Sequence, residues 1–187
     1  MLYPFPAAMS AKRSPETTAV HGTGPEKKPF DAVPSPIVLS ATYTFASTAE
    51  LRDHFEGRIE RDEYGRYGNP TVRSAERVLA ALEGAGDAIF FGSGMAAITT
   101  TLLSMLKSGD HVVLTSDCYR RTRQFVERTL SRFGVSATLV PPGDIGALEA
   151  AIGAGKTRVV LTEAPSNPYL RVADVPAVVK AAKAHRG

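Results

Sequence analysis

The chain has 187 residues, 43% of them hydrophobic, with a net charge of +3 and a single cysteine. That length suits one substantial core, and basic residues spread along the chain give no case for nucleic acid. No apolar run approaches the ~20 residues of a membrane span. The N-terminus lacks a secretory pattern, and Cys118 alone cannot close an internal disulfide, so the cytoplasm is the expected location.

Residues 1 to 60 read as an extended arm, because seven prolines between Pro4 and Pro36 interrupt it and no periodicity is sustained. From Thr71 the pattern becomes regular. A helix over 71–83 places Val72, Ala75, Val78, Leu79 and Leu82 on one face, the spacing of a helix lying against a core. Strands are expected near 87–92, 111–115, 136–140 and 158–162, and helices near 95–107, 119–133, 144–153 and 174–186. Short apolar runs separated by helices need crossover connections, so the expected fold is α/β with a mostly parallel sheet and helices on its faces.

Three polar segments follow apolar runs directly: Gly92-Ser93-Gly94 after "AIFF", Ser116 to Tyr119 after "HVVLT", and Glu163 to Pro168 after "RVVLT". All three should emerge at the carboxyl edge of the sheet, where open α/β sheets bind ligands. A glycine turn leading into a helix presents unpaired N–H groups and the positive end of the helix dipole to an anion. Taken alone, the pattern reads first as a plain tight turn. "GAGKT" (153–157) is similar to the tail of a nucleotide-binding loop, but it has Ala150 where that pattern needs glycine and it precedes a strand. The arginines of "YRRTRQFVERTLSRF" lie opposite Phe125, Val126, Leu130 and Phe133, as on a solvated helix face.

"YGRYGNPT" (64–71), "SGMAA" (93–97), "SDCYRRTR" (116–123) and "TEAPSNPYLR" (162–171), in this order, resemble the pyridoxal-phosphate enzymes of cysteine and methionine metabolism. "TAVHGTG" (18–24) resembles that family's opening, and within the family "YGRYGNPT" and "DCYRRTR" are most similar to plant-type cystathionine γ-synthases. The resemblance implies a three-layer large domain of fold type I, aspartate aminotransferase-like. Residues 61–187 would form its N-terminal part, and 1–60 an arm with oligomer contacts.

It also implies pyridoxal 5'-phosphate as cofactor and no metal. The phosphate would be bound by the amides of Gly94 and Met95 and, from a neighbouring subunit, by Tyr64 and Arg66, whose guanidinium suits a phosphate. Tyr119 would stack on the pyridine ring. Asn167 would lie near the cofactor oxygen and the substrate carboxylate, with Pro168 fixing the turn that follows. Glu163 belongs either to this site or to a structural cap or salt bridge. Cys118 is given no nucleophilic role.

The implied reaction is γ-replacement of an activated homoserine by cysteine, in a homo-oligomer, a tetramer by resemblance, with neither nucleic acid nor membrane as partner. Related lyases and sulfhydrylases share the motifs. The family's commonest version has two glycines after the stacking tyrosine, where this chain has Arg120 and Arg121. Plant-type enzymes with this motif accept a phosphate-activated homoserine, which those arginines would either bind or leave alone while facing solvent. The family's covalently bound lysine and pyridinium-pairing aspartate fall beyond the asparagine-proline motif. None of the seven lysines here takes that place. The expectation is therefore a chain ending before its catalytic lysine, or a non-catalytic remnant.

Overall fold

The computed structural model describes residues 14–22, 29–154 and 156–184. The arm's first 13 residues, its 23–28 stretch and the end of the helix expected to reach 186 lie outside the described residues. The chain divides into two compact units, residues up to Phe90 and residues from Phe91.

The first unit contains α1 (Pro15–His21), α2 (Thr48–Phe55) and α3 (Pro70–Glu83). Each begins on a side chain that accepts from an otherwise unpaired helix N–H: Ser14 from Thr17, Ser47 from Glu50, and Asn69 from Thr71. Pro70 occupies the first turn of α3, where its missing N–H costs nothing. Two helices thus stand inside the stretch read as extended. They are 7 and 8 residues long, too short for hydrophobic periodicity to announce them, and their capping serines are the stronger signal. The segment before the second motif is tied to α3 through Thr71 Oγ1, which accepts from the Val38 N–H at 2.8 Å, and through Asn69, which donates to the Val38 carbonyl at 3.0 Å. The apolar stripe of α3 meets its expected core only in part. Ala80 is buried, while Val72, Leu79 and Leu82 stay open to solvent.

The second unit runs α4 (Gly94–Met105), β1 (His111–Thr115), α5 (Arg120–Gln124), β2 (Ser136–Val140), α6 (Ile145–Gly153), β3 (Thr157–Leu161) and α7 (Val175–Ala184). The three strands are parallel in the order β2-β1-β3. Every residue of the middle strand is buried. Its side chains alternate between faces. Val112 and Leu114 join Leu102 of α4 with Val126 and Leu130, while Val113 joins Leu148 and Ile152 of α6 and Ala181 of α7. Helices therefore cover both faces, as the crossover argument requires.

Two further expectations need correction. No strand forms over 87–92, and Ile89 is 71% exposed. A strand exists only with a hydrogen-bonding neighbour, and no described segment pairs with this run. The helix expected over 119–133 is α-helical only to Gln124. It continues through a π turn (Phe125–Thr129) and a 3-10 turn (Leu130–Phe133) that Gly134 closes at φ 77. A side chain at Gly134 would also collide with the Ser108 hydroxyl, at 2.4 Å from a Cβ built there.

Candidate functional site

In the second unit, α4 precedes β1 and packs across the sheet, which brings the start of α4 to the carboxyl edge. Ser93 caps it by accepting from the Ala96 N–H at 3.1 Å. The N–H groups of Gly94 and Met95 are left without an acceptor among the described residues, as the first turn of a helix leaves them. Open space surrounds Gly94: a Cβ built there meets nothing within 4 Å. The turn is thus accessible to an anion from solvent.

The second segment leaves β1 at Thr115. A backbone bond from Cys118 N–H to the Thr115 carbonyl, at 3.2 Å, turns the chain into α5, with Tyr119 at the helix entrance. Tyr119 keeps 39% of its surface exposed. Thr122, one turn into the helix, is fully buried, and its hydroxyl donates to the Met95 sulfur at 3.7 Å. That contact ties the glycine turn to the Tyr119 segment.

The third segment leaves β3. Glu163 Oε1 accepts from the Tyr119 N–H at 2.8 Å, and Oε2 accepts from the Asn167 N–H at 3.4 Å. Beyond it the loop is closed by Ser166, which is buried. Ser166 N–H donates to the Arg171 carbonyl at 2.8 Å, and its carbonyl accepts from Leu170 N–H at 2.7 Å. The peptide bonds before Pro165 and Pro168 are cis. Asn167 is exposed, so its amide side chain is available to a ligand. At the same edge Thr115, Asp117, Thr162, Glu163 and Arg171 line a cavity of about 340 Å³. The Thr115 hydroxyl is buried there without a hydrogen-bond partner among the described residues. Asp117 is buried beside Arg171 at 3.9 Å.

Gly94, Met95, Tyr119 and Asn167 thus belong to one edge of one unit, linked through Met95–Thr122 and through Glu163. Tyr64 and Arg66 belong to the first unit, on a turn closed by Tyr67 N–H donating to the Tyr64 carbonyl at 2.8 Å. The Arg66 guanidinium lies 4.5 Å from the Tyr64 ring centre and 5.4 Å from that of Tyr67. Stacking of this kind holds a guanidinium in place while leaving its edge free to donate. Arg66 also borders the larger cavity of the first unit, about 600 Å³, where Arg73 and Arg77 are mixed with Glu60, Glu76 and Asp87. That mixture of signs makes it a poorer anion cradle than the glycine turn.

Cys118 is 1% exposed, and its thiol is pushed up to about 12, first by burial and then by the Glu163 carboxylate. It stays protonated and cannot serve as a nucleophile at neutral pH. The sequence left Glu163 undecided between site and scaffold. The signal lay in its place as the first carboxylate after β3.

Unpaired amides for a phosphate, an accessible aromatic face and an asparagine amide make a donor set that fits a flat phosphorylated cofactor. Comparison with known proteins gives the same chemistry. The family described as Cys/Met metabolism PLP-dependent enzyme matches residues 16–186. Cystathionine gamma-synthase 1, chloroplastic, of Nicotiana tabacum is 45% identical over 150 residues, 80% of this chain and 28% of its own length. L-methionine gamma-lyase of Pseudomonas putida is 37% identical over 165 residues, covering 88% of this chain and 41% of its own. A Campylobacter jejuni structure carrying N'-pyridoxyl-lysine-5'-monophosphate aligns with a TM-score of 0.82 and 29% identity over 92% of this chain and 42% of that one. The chain therefore spans less than half the length of these relatives. It belongs to the pyridoxal-phosphate-dependent enzyme family of cysteine and methionine metabolism.

Proposed function

We propose that these residues form the N-terminal part of the cofactor domain of a cystathionine γ-synthase, which replaces the γ-substituent of an activated homoserine with cysteine. The observation that carries the reading is the Gly94-Met95 turn, its amides unpaired, tied by Met95–Thr122 to the helix that Tyr119 opens. The 45% identity to the tobacco enzyme supports this choice within the family.

Pyridoxal phosphate, when bound, withdraws electrons from the substrate's α-carbon and so makes γ-chemistry accessible. The chain's own residues do the holding. The Gly94 and Met95 N–H groups bind phosphate oxygens with the α4 dipole behind them. The Tyr119 ring would stack on the cofactor and shield it from water, and Asn167 would orient the ring's oxygen and the substrate carboxylate. Tyr64 and Arg66 complete the phosphate site of a neighbouring subunit, which makes the working enzyme a homo-oligomer, a tetramer by family resemblance. Residues 1–60 then supply arm and interface, with 61–187 as the start of the large domain. A reducing compartment such as the cytoplasm suits the buried free thiol, although the tobacco relative is chloroplastic by name. No helix among the described residues is long and apolar enough to cross a membrane.

Proton transfer at the α-carbon needs a base, and no lysine among the described residues stands at the carboxyl edge. Lys107 and Lys156 precede β1 and β3, at the amino edge, and Lys180 and Lys183 lie on α7. The reading therefore seeks that base outside the described residues. The test is mass-spectrometric detection of cystathionine when full-length protein, pyridoxal phosphate, cysteine and phospho- or acyl-homoserine are mixed. Cystathionine supports the reading. Release of a keto acid from methionine or cystathionine, with no condensation, would favour the lyase alternative. Sulfide incorporation would favour a sulfhydrylase, and no turnover by protein carrying a second half would favour a remnant.

A further inference from the structure

We propose that Glu163 is a positioning residue whose two carboxylate oxygens hold the Tyr119 and Asn167 backbones at a fixed separation, so that ring and amide face one ligand together. The proposal rests on the cofactor reading above and adds a residue to it.

The geometry is specific. Tyr119 and Glu163 are 44 positions apart, yet Tyr119 N–H reaches Oε1 at 2.8 Å, and Asn167 N–H reaches Oε2 at 3.4 Å. Both ligand-facing side chains remain exposed while their backbones are held. No side chain of the Tyr119 segment itself caps the α5 entrance, so the carboxylate arriving from β3 takes that place. A carboxylate at a helix entrance also gains from the dipole. Arg171, which lines the same cavity, faces Asp117 at 3.9 Å. Glu163 spends its acceptors on the two amides.

The Glu163 carboxyl group offers two acceptor oxygens, one for each N–H donor. A glutamine retains one acceptor and turns an NH₂ toward the other amide. An aspartate is one methylene short of spanning both. Because Tyr119 is fixed through its own backbone N–H, loss of the clamp changes the tilt of the ring, and Asn167 moves independently of it.

The experiment uses the full-length protein, with and without pyridoxal phosphate, as wild type and as Glu163→Ala and Glu163→Gln. Residue-resolved amide exchange, visible circular dichroism of the bound cofactor and thermal unfolding are read together. In Glu163→Ala both the Tyr119 and Asn167 amides should exchange roughly tenfold faster or more, and the cofactor's dichroic band should shrink although cofactor still binds. In Glu163→Gln the Tyr119 amide should stay protected while Asn167 accelerates. Unchanged exchange at both amides in either variant overturns the proposal. So does faster exchange with an unaltered dichroic band, since Glu163 would then only close a loop. Should the alanine variant not fold, the glutamine variant decides. A wild type that binds no pyridoxal phosphate would instead overturn the cofactor reading, and amide exchange would still report on the clamp.

Discussion

The Thr122 hydroxyl donates to the Met95 sulfur at 3.7 Å, joining a glycine turn to a helix that begins 26 residues later in sequence. Thr122 is fully buried, so the contact fixes the two segments against each other, and the unpaired amides of Gly94 and Met95 keep a constant relation to α5.

Gly94→Pro tests whether one of those amides binds phosphate. Proline is tolerated in the first turn of a helix, and Ser93, at φ -160 and ψ 157, already has the extended conformation that a following proline demands. Far-ultraviolet dichroism should be unchanged. Affinity for pyridoxal phosphate, followed by fluorescence titration, should fall about tenfold, the loss of one hydrogen bond to a charged group. Unchanged affinity would mean that the Gly94 amide does not touch the phosphate.

His111 clips the sheet together. One ring nitrogen meets the Thr157 hydroxyl of β3 at 2.8 Å and the other meets that of Thr138 in β2 at 2.9 Å. His111→Ala should cost about 1–3 kcal/mol in urea unfolding, because it removes two part-buried hydrogen bonds that join the three strands. Burial holds the imidazole below its ordinary 6.5. With the folded value depressed, the neutral ring's contribution is present above pH 6.5 and is lost as pH falls through the folded value. The pH dependence of stability between 7 and 5 should therefore be shallower in the alanine variant.

The apolar runs of β1, β2 and β3 and the helices between them were legible because they are built around β1, whose Val112 and Leu114 point into one core and Val113 into the other. The run at 88–91 looked the same to a periodicity argument, yet it forms no strand, since pairing depends on a partner segment that a local pattern does not contain. At the site, residue types that carry chemistry were visible in the motifs, whereas Thr122 was not singled out and Glu163 was left between site and cap, its partners unnamed. Both act across more than 25 positions of sequence, and only the fold brings their partners within reach.

Cys118 offers a second titration with the opposite sign. Its thiol is raised from 9.0 to about 12, so its contribution to stability is complete below pH 9 and is lost as pH rises toward 12. A thiol reagent at pH 8 should leave the folded protein unmodified and react fully in guanidinium. Between pH 9 and 11, wild type should lose more stability than Cys118→Ala. Rapid labelling of the native protein would contradict the burial.

Arg120 and Arg121 are both exposed at the start of α5, and Arg121 donates to Gln124 Oε1 at 3.1 Å. Replacing both by glycine in the full-length enzyme should lower kcat/KM for a phosphate ester of homoserine about tenfold while changing that for an acyl ester little, if a guanidinium meets the leaving group. Equal losses on both esters would place these arginines outside substrate recognition.

On this view the carboxyl edge of the β2-β1-β3 sheet holds pyridoxal phosphate. A crystal structure of the full-length protein with the cofactor bound tests it most directly. Phosphate oxygens are expected within hydrogen-bond distance of the Gly94 and Met95 N–H groups, with the pyridine ring against Tyr119 and the covalent lysine outside the described residues. A phosphate held away from that turn, or a cofactor joined to Lys107, Lys156, Lys180 or Lys183, would contradict it.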